Sequence, residues 1–403
     1  MSRFSRKNES RLNVSNLFNE NEDGAPAVSG ISTFSSPHYF VPPSGSTTER
    51  PQNPGEGMIR FNTDSGHLEY YTGTHWADVI TNNNELGDQN NSNSTGGTGT
   101  RAIFGGGYAP GGTDHMDYIT IDTLGNAQDF GDLGVASFAF SGYAGRVFGF
   151  QSGYGPGPGT NIYKQTIAST GSSVDTTFDL SSGRGYGGGL SNSTRGIVAG
   201  GLTSPSGPNG SNIIEYHSIP IGGNAVDFGD LIQSANFATG TCASSVRGII
   251  AGGKVGGGSS FNTIQYITIS TTGNAQDFGD IASARSQFAV GFSNATRGIL
   301  GGGITGPAPT TPINTTEFIT IASTGNAQDF GDLSRTNNRH AASACSSTRG
   351  VFAGGDPHAA PYPKSNQIDF LTISTTGNSQ DFGDLANAGR NHFSGYSNGH
   401  GGL

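Results

Sequence analysis

The sequence predicts an all-β chain: a six-bladed β-propeller preceded by an extended N-terminal arm and a small β-hairpin module. Three observations predict it. Glycine supplies 67 of 403 residues and charged residues only 12%, a composition unsuited to long amphipathic helices. The 24 Phe and 13 Tyr sit in short alternating runs, which argues for order over a polar disordered chain. A motif of about 50 residues recurs: arginines open similar segments at Arg101, Arg146, Arg195, Arg247, Arg297 and Arg349, at intervals of 45, 49, 52, 50 and 52 residues.

Each copy reads as four short strands. The first is an apolar run ending in glycines, as in Ile249–Gly253 and Val351–Gly355. The second alternates, as in Ile264–Ser270 and Ile368–Ser374. The third is the block Asn274–Ile281 (NAQDFGDI), repeated near Asn126–Leu133, Asn326–Leu333 and Asn378–Leu385 and decayed to Ser172–Leu180 in the second copy. The fourth is polar and aromatic, as in Ser286–Phe292 and Asn391–Tyr396. β-Branched and aromatic residues suit a pleated surface, and Asn/Gly turns separate the runs. Four strands in a period near 50 match a propeller blade.

The boundary between copies can be placed. Ser191–Arg195 and Ser293–Arg297 are short turns, which favour antiparallel neighbours. One sheet therefore holds the fourth run of one copy and the first three of the next. On that frame the last run, Asn391–Ser397, returns to pair with the first, Arg101–Gly107. The glycines there suit crowded strands.

The N-terminal 99 residues differ. Residues 1–52 read as a polar extended attachment arm, 53–80 as a small β module, 81–99 as a flexible linker and 100–403 as the propeller. In the module, Met58–Asn62 and Leu68–Tyr71 form a hairpin around Asp64-Ser65-Gly66, with Trp76 covering it.

No catalytic, cofactor-binding or metal-binding residue emerges. The glycine runs are not phosphate loops, because no G-x-x-x-x-G-K-[ST] occurs. The Asp-Phe-Gly tripeptide recurs with the repeat, for example at Asp277–Gly279, so its glycine marks a turn or bulge. Its aspartates read as hydrogen-bond acceptors before Ca²⁺ ligands, since EF-hand spacing is missing. The nine histidines form no HExxH signature, and Cys242 and Cys345 read as free buried thiols. Net charge is −10, which argues against nucleic acid, and no apolar run has the length of a membrane helix. The chain is therefore expected to be no enzyme and to use no cofactor. Binding is expected in the loops after each first strand: Tyr108–His115, Tyr154–Thr160, Leu202–Ser211, Lys254–Ser260, Ile304–Thr315 and Asp356–Asn366. Tyr108, Tyr154, His358 and Tyr362 are the candidate ligand-contacting rings, and Ile59, Phe61, Tyr70, Tyr71 and Trp76 the candidate attachment residues.

The segment Gly57–Asn62, followed by Leu68–Gly73 and His75-Trp76, resembles a module of structural proteins of tailed bacteriophages, particularly virion and tail-fibre proteins of marine phages. The TRGIFAGG-like and NAQDFGDL-like elements resemble repeats in proteins of such phages, and the paired glycines loosely resemble kelch repeats. The resemblance implies a virion structural protein, tail- or fibre-associated, anchored through residues 1–80 to other virion proteins and assembled in the host cytoplasm. A capsid decoration protein, a host-recognition adhesin for a surface glycan or protein, and a polysaccharide-degrading enzyme are the alternatives, with homo-oligomers such as a trimer compatible. It implies no catalytic residues.

Overall fold

The computed structural model describes residues 42–64, 67–79, 100–154, 157–203, 210–235, 240–254, 260–288, 290–305, 311–336, 341–356 and 363–403. The chain divides into two compact units, Met1–Leu86 and Gly87–Leu403.

In the first unit, Ile59–Asn62 pairs antiparallel with His67–Tyr71, as the hairpin reading expects. Trp76–Asp78 adds a third strand, and Ser44–Gly45 a fourth, parallel to Ile59–Asn62. Part of the expected arm thus belongs to the module: Phe61 donates its N–H to the Pro43 carbonyl, and Arg50 pairs with Glu69. The buried face is polar, with Arg60, Asn62 and Glu69 covered while Ile59, Phe61 and Tyr70 face outward. The strands alternate as anticipated, but the ion-paired face is the inner one.

The second unit holds six four-stranded antiparallel sheets and one three-stranded ribbon among the described residues. The first sheet runs Ser394–Ser397, Arg101–Gly105, Thr113–Thr120, Gln128–Ser137. The second runs Ser141–Ala144, Phe148–Ser152, Gly159–Thr166, Val174–Arg184. The third runs Gly188–Ser191, Arg195–Ala199, Ser211–Ser218, Gly222–Ala235. The fourth runs Gly240–Ala243, Arg247–Lys254, Ser260–Thr268, Gln276–Asp280. The fifth runs Val290–Ser293, Arg297–Gly301, Thr315–Thr320, Gln328–Asp332, and the sixth Ala342–Cys345, Arg349–Ala353, Gln367–Thr372, Gln380–Asp384. Each sheet thus takes its leading strand from the preceding copy, and Ser394 pairs with Gly105 across the chain ends.

The expected closed six-bladed β-propeller is corrected to this coarser description: small separate sheets, none closed or curled on itself. The physical reason lies in the strand edges. Each strand ladder stops after four strands, and neighbouring sheets meet through side chains and isolated backbone contacts.

Three kinds of contact join successive sheets. The first is a knob seated on a glycine. Phe292 of the fifth sheet's leading strand lies where a Cβ on Gly350 of the sixth would be, and Tyr396 of the first does the same to Gly149 of the second. Where the leading strand carries Ala344 instead, the facing position is Ala102, and both sit in one core cluster. The second is a clip between outer strands. Gly325 and Ala327 donate N–H groups to the carbonyls of Phe278 and Asp280, while the Asp280 N–H donates to Asn326 Oδ1 at 3.0 Å. Gly279, at φ 146°, forms the bulge, and a Cβ there would lie 2.5 Å from Gly325. The bulge reading of the Asp-Phe-Gly block is therefore met. The same clip joins the sixth sheet to the first through Gly125, Ala127 and Asn126. The third is the repeat arginine: Arg247 lies over the Tyr266 ring, 4.7 Å from its centroid, and donates to the Ile321 carbonyl of the next sheet at 3.1 Å.

Arg146 is not the equivalent residue in the second copy. Phe148 begins that strand, and Lys164 Nζ lies 3.6 Å from its ring centroid, so cation and ring have exchanged strands.

Ion pairs with buried acids supplement four of the six junctions: Arg184–Glu215, Arg285–Glu317, Arg390–Asp117 and, with a half-buried arginine, Arg335–Asp369. At the other two, both partners are missing together. Gln265 replaces the acid where residues 231–239 hold no arginine, and Tyr163 replaces it where 133–140 hold none. A lone buried charge is far costlier than a neutral pair of positions.

Cys242 and Cys345 are free and buried, and burial pushes both thiols up to about 12. Burial also pulls His217 and His400 down to about 4, from an ordinary 6.5.

Three outcomes follow from these contacts. Gly350→Ala is expected to destabilise the fold by about 1–3 kcal/mol by overpacking. Adding Phe292→Ala, which reproduces the Ala344/Ala102 arrangement, should recover at least about 0.5 kcal/mol relative to additivity in a denaturant-melt double-mutant cycle; strict additivity would contradict the contact. Glu215→Ala should cost about 3–5 kcal/mol by leaving Arg184 buried alone, whereas Arg184→Leu with Glu215→Gln should cost much less; equal losses in chemical denaturation would refute this coupling. Because the fold favours neutral His217 and His400, their stabilisation is complete above pH 6.5 and is lost as pH falls toward 4. His217 accounts for about 3 kcal/mol of that loss, so melting temperatures of His217→Leu should fall less steeply over this window than those of the parent.

Candidate functional site

The antiparallel pairing places the closing residues of each first strand beside the first residue of its leading strand, and these described strand ends lie at one end of the second unit. Ser394 opposite Gly105 fixes this, and Tyr108 bridges to Asn391. Four non-glycine residues with left-handed backbone lie in the segments entering leading strands: Ala139, Tyr186, Gln287 and His392, at φ 66°, 61°, 56° and 57°. Each directly precedes Phe140, Gly187, Phe288 or Phe393. The conformation turns peptide groups toward the next sheet: Ala139 N–H donates to the His392 carbonyl at 2.7 Å, and Tyr186 N–H to the Ala139 carbonyl at 2.9 Å. Such backbone costs about 1–3 kcal/mol per residue and concentrates at ligand clamps.

Rings gather on these turns. Phe138 lies 5.4 Å from Tyr108, 6.4 Å from Tyr186 and 6.1 Å from His392, and Tyr186 lies 5.5 Å from His392. Lys364 Nζ sits 4.8 Å from the Tyr108 centroid. These four rings are exposed or half-buried, so the end carries an aromatic rim whose rings meet edge-on.

Below the rim, leading strands of all six sheets line a cavity of about 110 Å³, with Ser141, Gly189, Thr241, Gly291, Ser343 and Gly395 among its walls. It is smaller than a typical cofactor site. At the far end, the His400 ring hydrogen-bonds the Ala144 carbonyl at 2.8 Å, and Gly401 donates to the Ser293 carbonyl. Beside the rim, a groove of about 400 Å³ runs between residues 109–113 and 387–390, with His115 and Arg390 in its walls. His115 Nδ1 lies 3.6 Å from Asp132 and 3.9 Å from Asp114. All three offer exposed or half-buried ligand atoms close enough for one ion.

Of the expected ligand-contacting rings, Tyr108 belongs to the rim. Tyr154 instead rests on Phe140, centroids 6.0 Å apart, beside a core cluster. His358 and Tyr362 lie outside the described residues. Phe138, Tyr186 and His392 were not singled out by the sequence reading; their signal was an aromatic residue two or three positions ahead of a leading strand, which for His392 lies inside the last fourth run. In the separate N-terminal unit, Tyr71 and Trp76 contact each other at 5.5 Å, while Ile59, Phe61 and Tyr70 form an outward apolar set.

No helix among the described residues is long and apolar enough to cross a membrane. No protein-family model and no curated protein matches the chain. The expectation of a marine-phage virion, tail-fibre or capsid protein with a host-attachment role is corrected accordingly: neither of these two comparisons returns such a family, and the separate sheets are not the closed propeller coupled to it.

Proposed function

We propose that residues 100–403 act as a non-catalytic recognition module that holds a saccharide against the aromatic rim. The observation that carries this reading is the cluster Tyr108, Phe138, Tyr186 and His392 on turns held in left-handed backbone. Sugar rings present apolar C–H faces with hydroxyls at their edges. Rigid aromatic platforms with a polar end suit both parts. The sheets beneath are tied at every junction, so the rim is preorganised and little ordering cost falls on binding. The buried acids of the unit are engaged with arginines or amides, and the histidines shifted furthest, His217 and His400, lie away from the rim. That supports binding without bond cleavage.

A glycan array probed with the full chain tests the proposal. Tyr186→Ala should weaken retention of the captured glycans about tenfold, a loss of about 1.4 kcal/mol, while Val246→Ser at an exposed site away from the rim should leave it unchanged. Equal retention by both variants, or capture of protein ligands with no glycan bound, would defeat the reading. Release of shortened glycans would defeat its non-catalytic part.

A further inference from the structure

Strand polarity gives the second unit an end opposite the aromatic rim. The repeat arginines open the first strands there, each paired with the second strand where it finishes: Arg101 with Thr120, Arg195 with Ser218, Arg247 with Thr268, Arg297 with Thr320 and Arg349 with Thr372. The turns flanking these pairs lie at the same end, and the arginines tie them from sheet to sheet. Arg101 donates to the Ile167 carbonyl, Arg195 to Ile269, Arg247 to Ile321, Arg297 to Ile373 and Arg349 to Ile121. Where no arginine spans, a Cβ on Gly145 of the second sheet would lie 2.9 Å from Ile219 of the third.

This end is basic. Each of the five guanidinium groups spends Nη1 on the carbonyl and its face on a ring of its own sheet. All five residues are half-buried, and none is ion-paired with an acid among the described residues. Their Nε and Nη2 atoms make no bond within the protein and are not enclosed, so they reach solvent. Exposed Arg146 and half-buried Lys164 add two cations. The turns hold one acidic side chain, Asp122. The first aspartate of each block stands back from the end: Asp129 pairs with Asp117, three residues up the strand from Thr120, about 10 Å. That exceeds the Debye length of about 8 Å at physiological salt.

The same turns are tipped with apolar side chains. Five of the eight exposed large hydrophobic residues of the second unit lie in or beside them: Leu124, Val147, Val174, Ile221 and Val246, with Ile221 88% exposed. Other copies carry polar residues at these places. Val147 and Val246 stand where Thr194 and Thr296 do, Leu124 and Ile221 where Thr272 and Thr271 do, and Val174 where Gln276 does. The fold therefore does not require an apolar group at any of them.

We propose that this end docks on an anionic lipid bilayer, with the arginines against the headgroup phosphates and carboxylates and the apolar tips of the first four sheets in the headgroup layer. Cations and protruding apolar groups on one surface match the two attractions of such an interface. Nucleic acid would engage the cations and leave the tips in water. Docking this way leaves the aromatic rim facing solution, and the proposal does not rest on the glycan reading.

The test is cosedimentation of the full chain with phosphatidylcholine vesicles, with and without phosphatidylserine. Binding should require phosphatidylserine and weaken as salt is raised. Arg146→Gln should reduce it about fivefold and Ile221→Ser about tenfold. Both positions are exposed, so both variants should melt with the parent. The fluorescence of Ile221→Trp should shift to the blue on phosphatidylserine vesicles, and Tyr186→Ala at the rim should bind as the parent does. Absence of binding, equal binding to both vesicle compositions, undiminished binding by Arg146→Gln or Ile221→Ser, or loss of binding in Tyr186→Ala would overturn the assignment. Duplex DNA bound as tightly as the phosphatidylserine vesicles, with no loss in Ile221→Ser, would overturn it in favour of nucleic acid.

Discussion

The structure of the repeat region depends on how closely one sheet can approach the next. That distance is set where a leading-strand side chain meets the second residue of the following sheet's first strand. Glycine stands there opposite Tyr396, Tyr143, Leu190, Cys242 and Phe292. With the sheets so near, serine hydroxyls on leading strands can reach across: Ser293 Oγ donates to the Ala243 carbonyl at 2.7 Å and accepts from the Ala243 N–H. Leading strands present a free backbone edge, and these hydroxyls supply some of the partners that another strand would have given. Small residues on those strands are thus selected by geometry as well as by the narrow cavity they enclose.

The outer clip and the arginine work at greater distance from that contact, and they fix orientation. The Asn-to-backbone bond and the two backbone bonds beside it hold the outer strands of adjoining sheets in register. The arginine spans from its own strand, across an aromatic ring, to the next sheet's carbonyl. The second copy shows which part of this device matters for packing. Phe148 and Lys164 retain a cation over a ring with the two partners exchanged, so the local contact survives the change of sequence. Among the described contacts, the carbonyl bond to the next sheet is not reproduced there by Lys164.

Much of this was legible in the residues. The copy frame, the assignment of each leading strand to the next copy and the pairing of the chain ends all followed from turn length and repetition, because short turns leave few topologies. The glycine of the Asp-Phe-Gly block was legible as a bulge for the same reason. The junction arginines were not. Arg184 and Arg285 stand five residues after the last Asp of their blocks, Arg335 three and Arg390 six, so no fixed spacing reveals them. Their acids sit at an ordinary strand position and read as exposed polar residues until the neighbouring sheet covers them. The rim was legible only in part for a related reason: Tyr108 follows a glycine run, whereas Phe138, Tyr186 and His392 lie in segments of changing length. The arginine register in the second copy failed because the strand begins at Phe148, two residues after the arginine that seemed to open it.

The joint loss of arginine and acid at two junctions has an evolutionary consequence. A copy carries one half of each charged pair, and its neighbour carries the other. Duplicating, deleting or transplanting a single copy would therefore strand an arginine or a carboxylate at a new boundary, whereas exchanging a boundary as a unit would not. Recombination between copies should be tolerated at crossovers between the acid of one junction and the arginine of the next, where both halves of a pair travel together, and selected against at crossovers between an arginine and its acid. The heritable unit of this architecture is then the seam between sheets, and the sequence period of about 50 residues marks the spacing of seams along the chain.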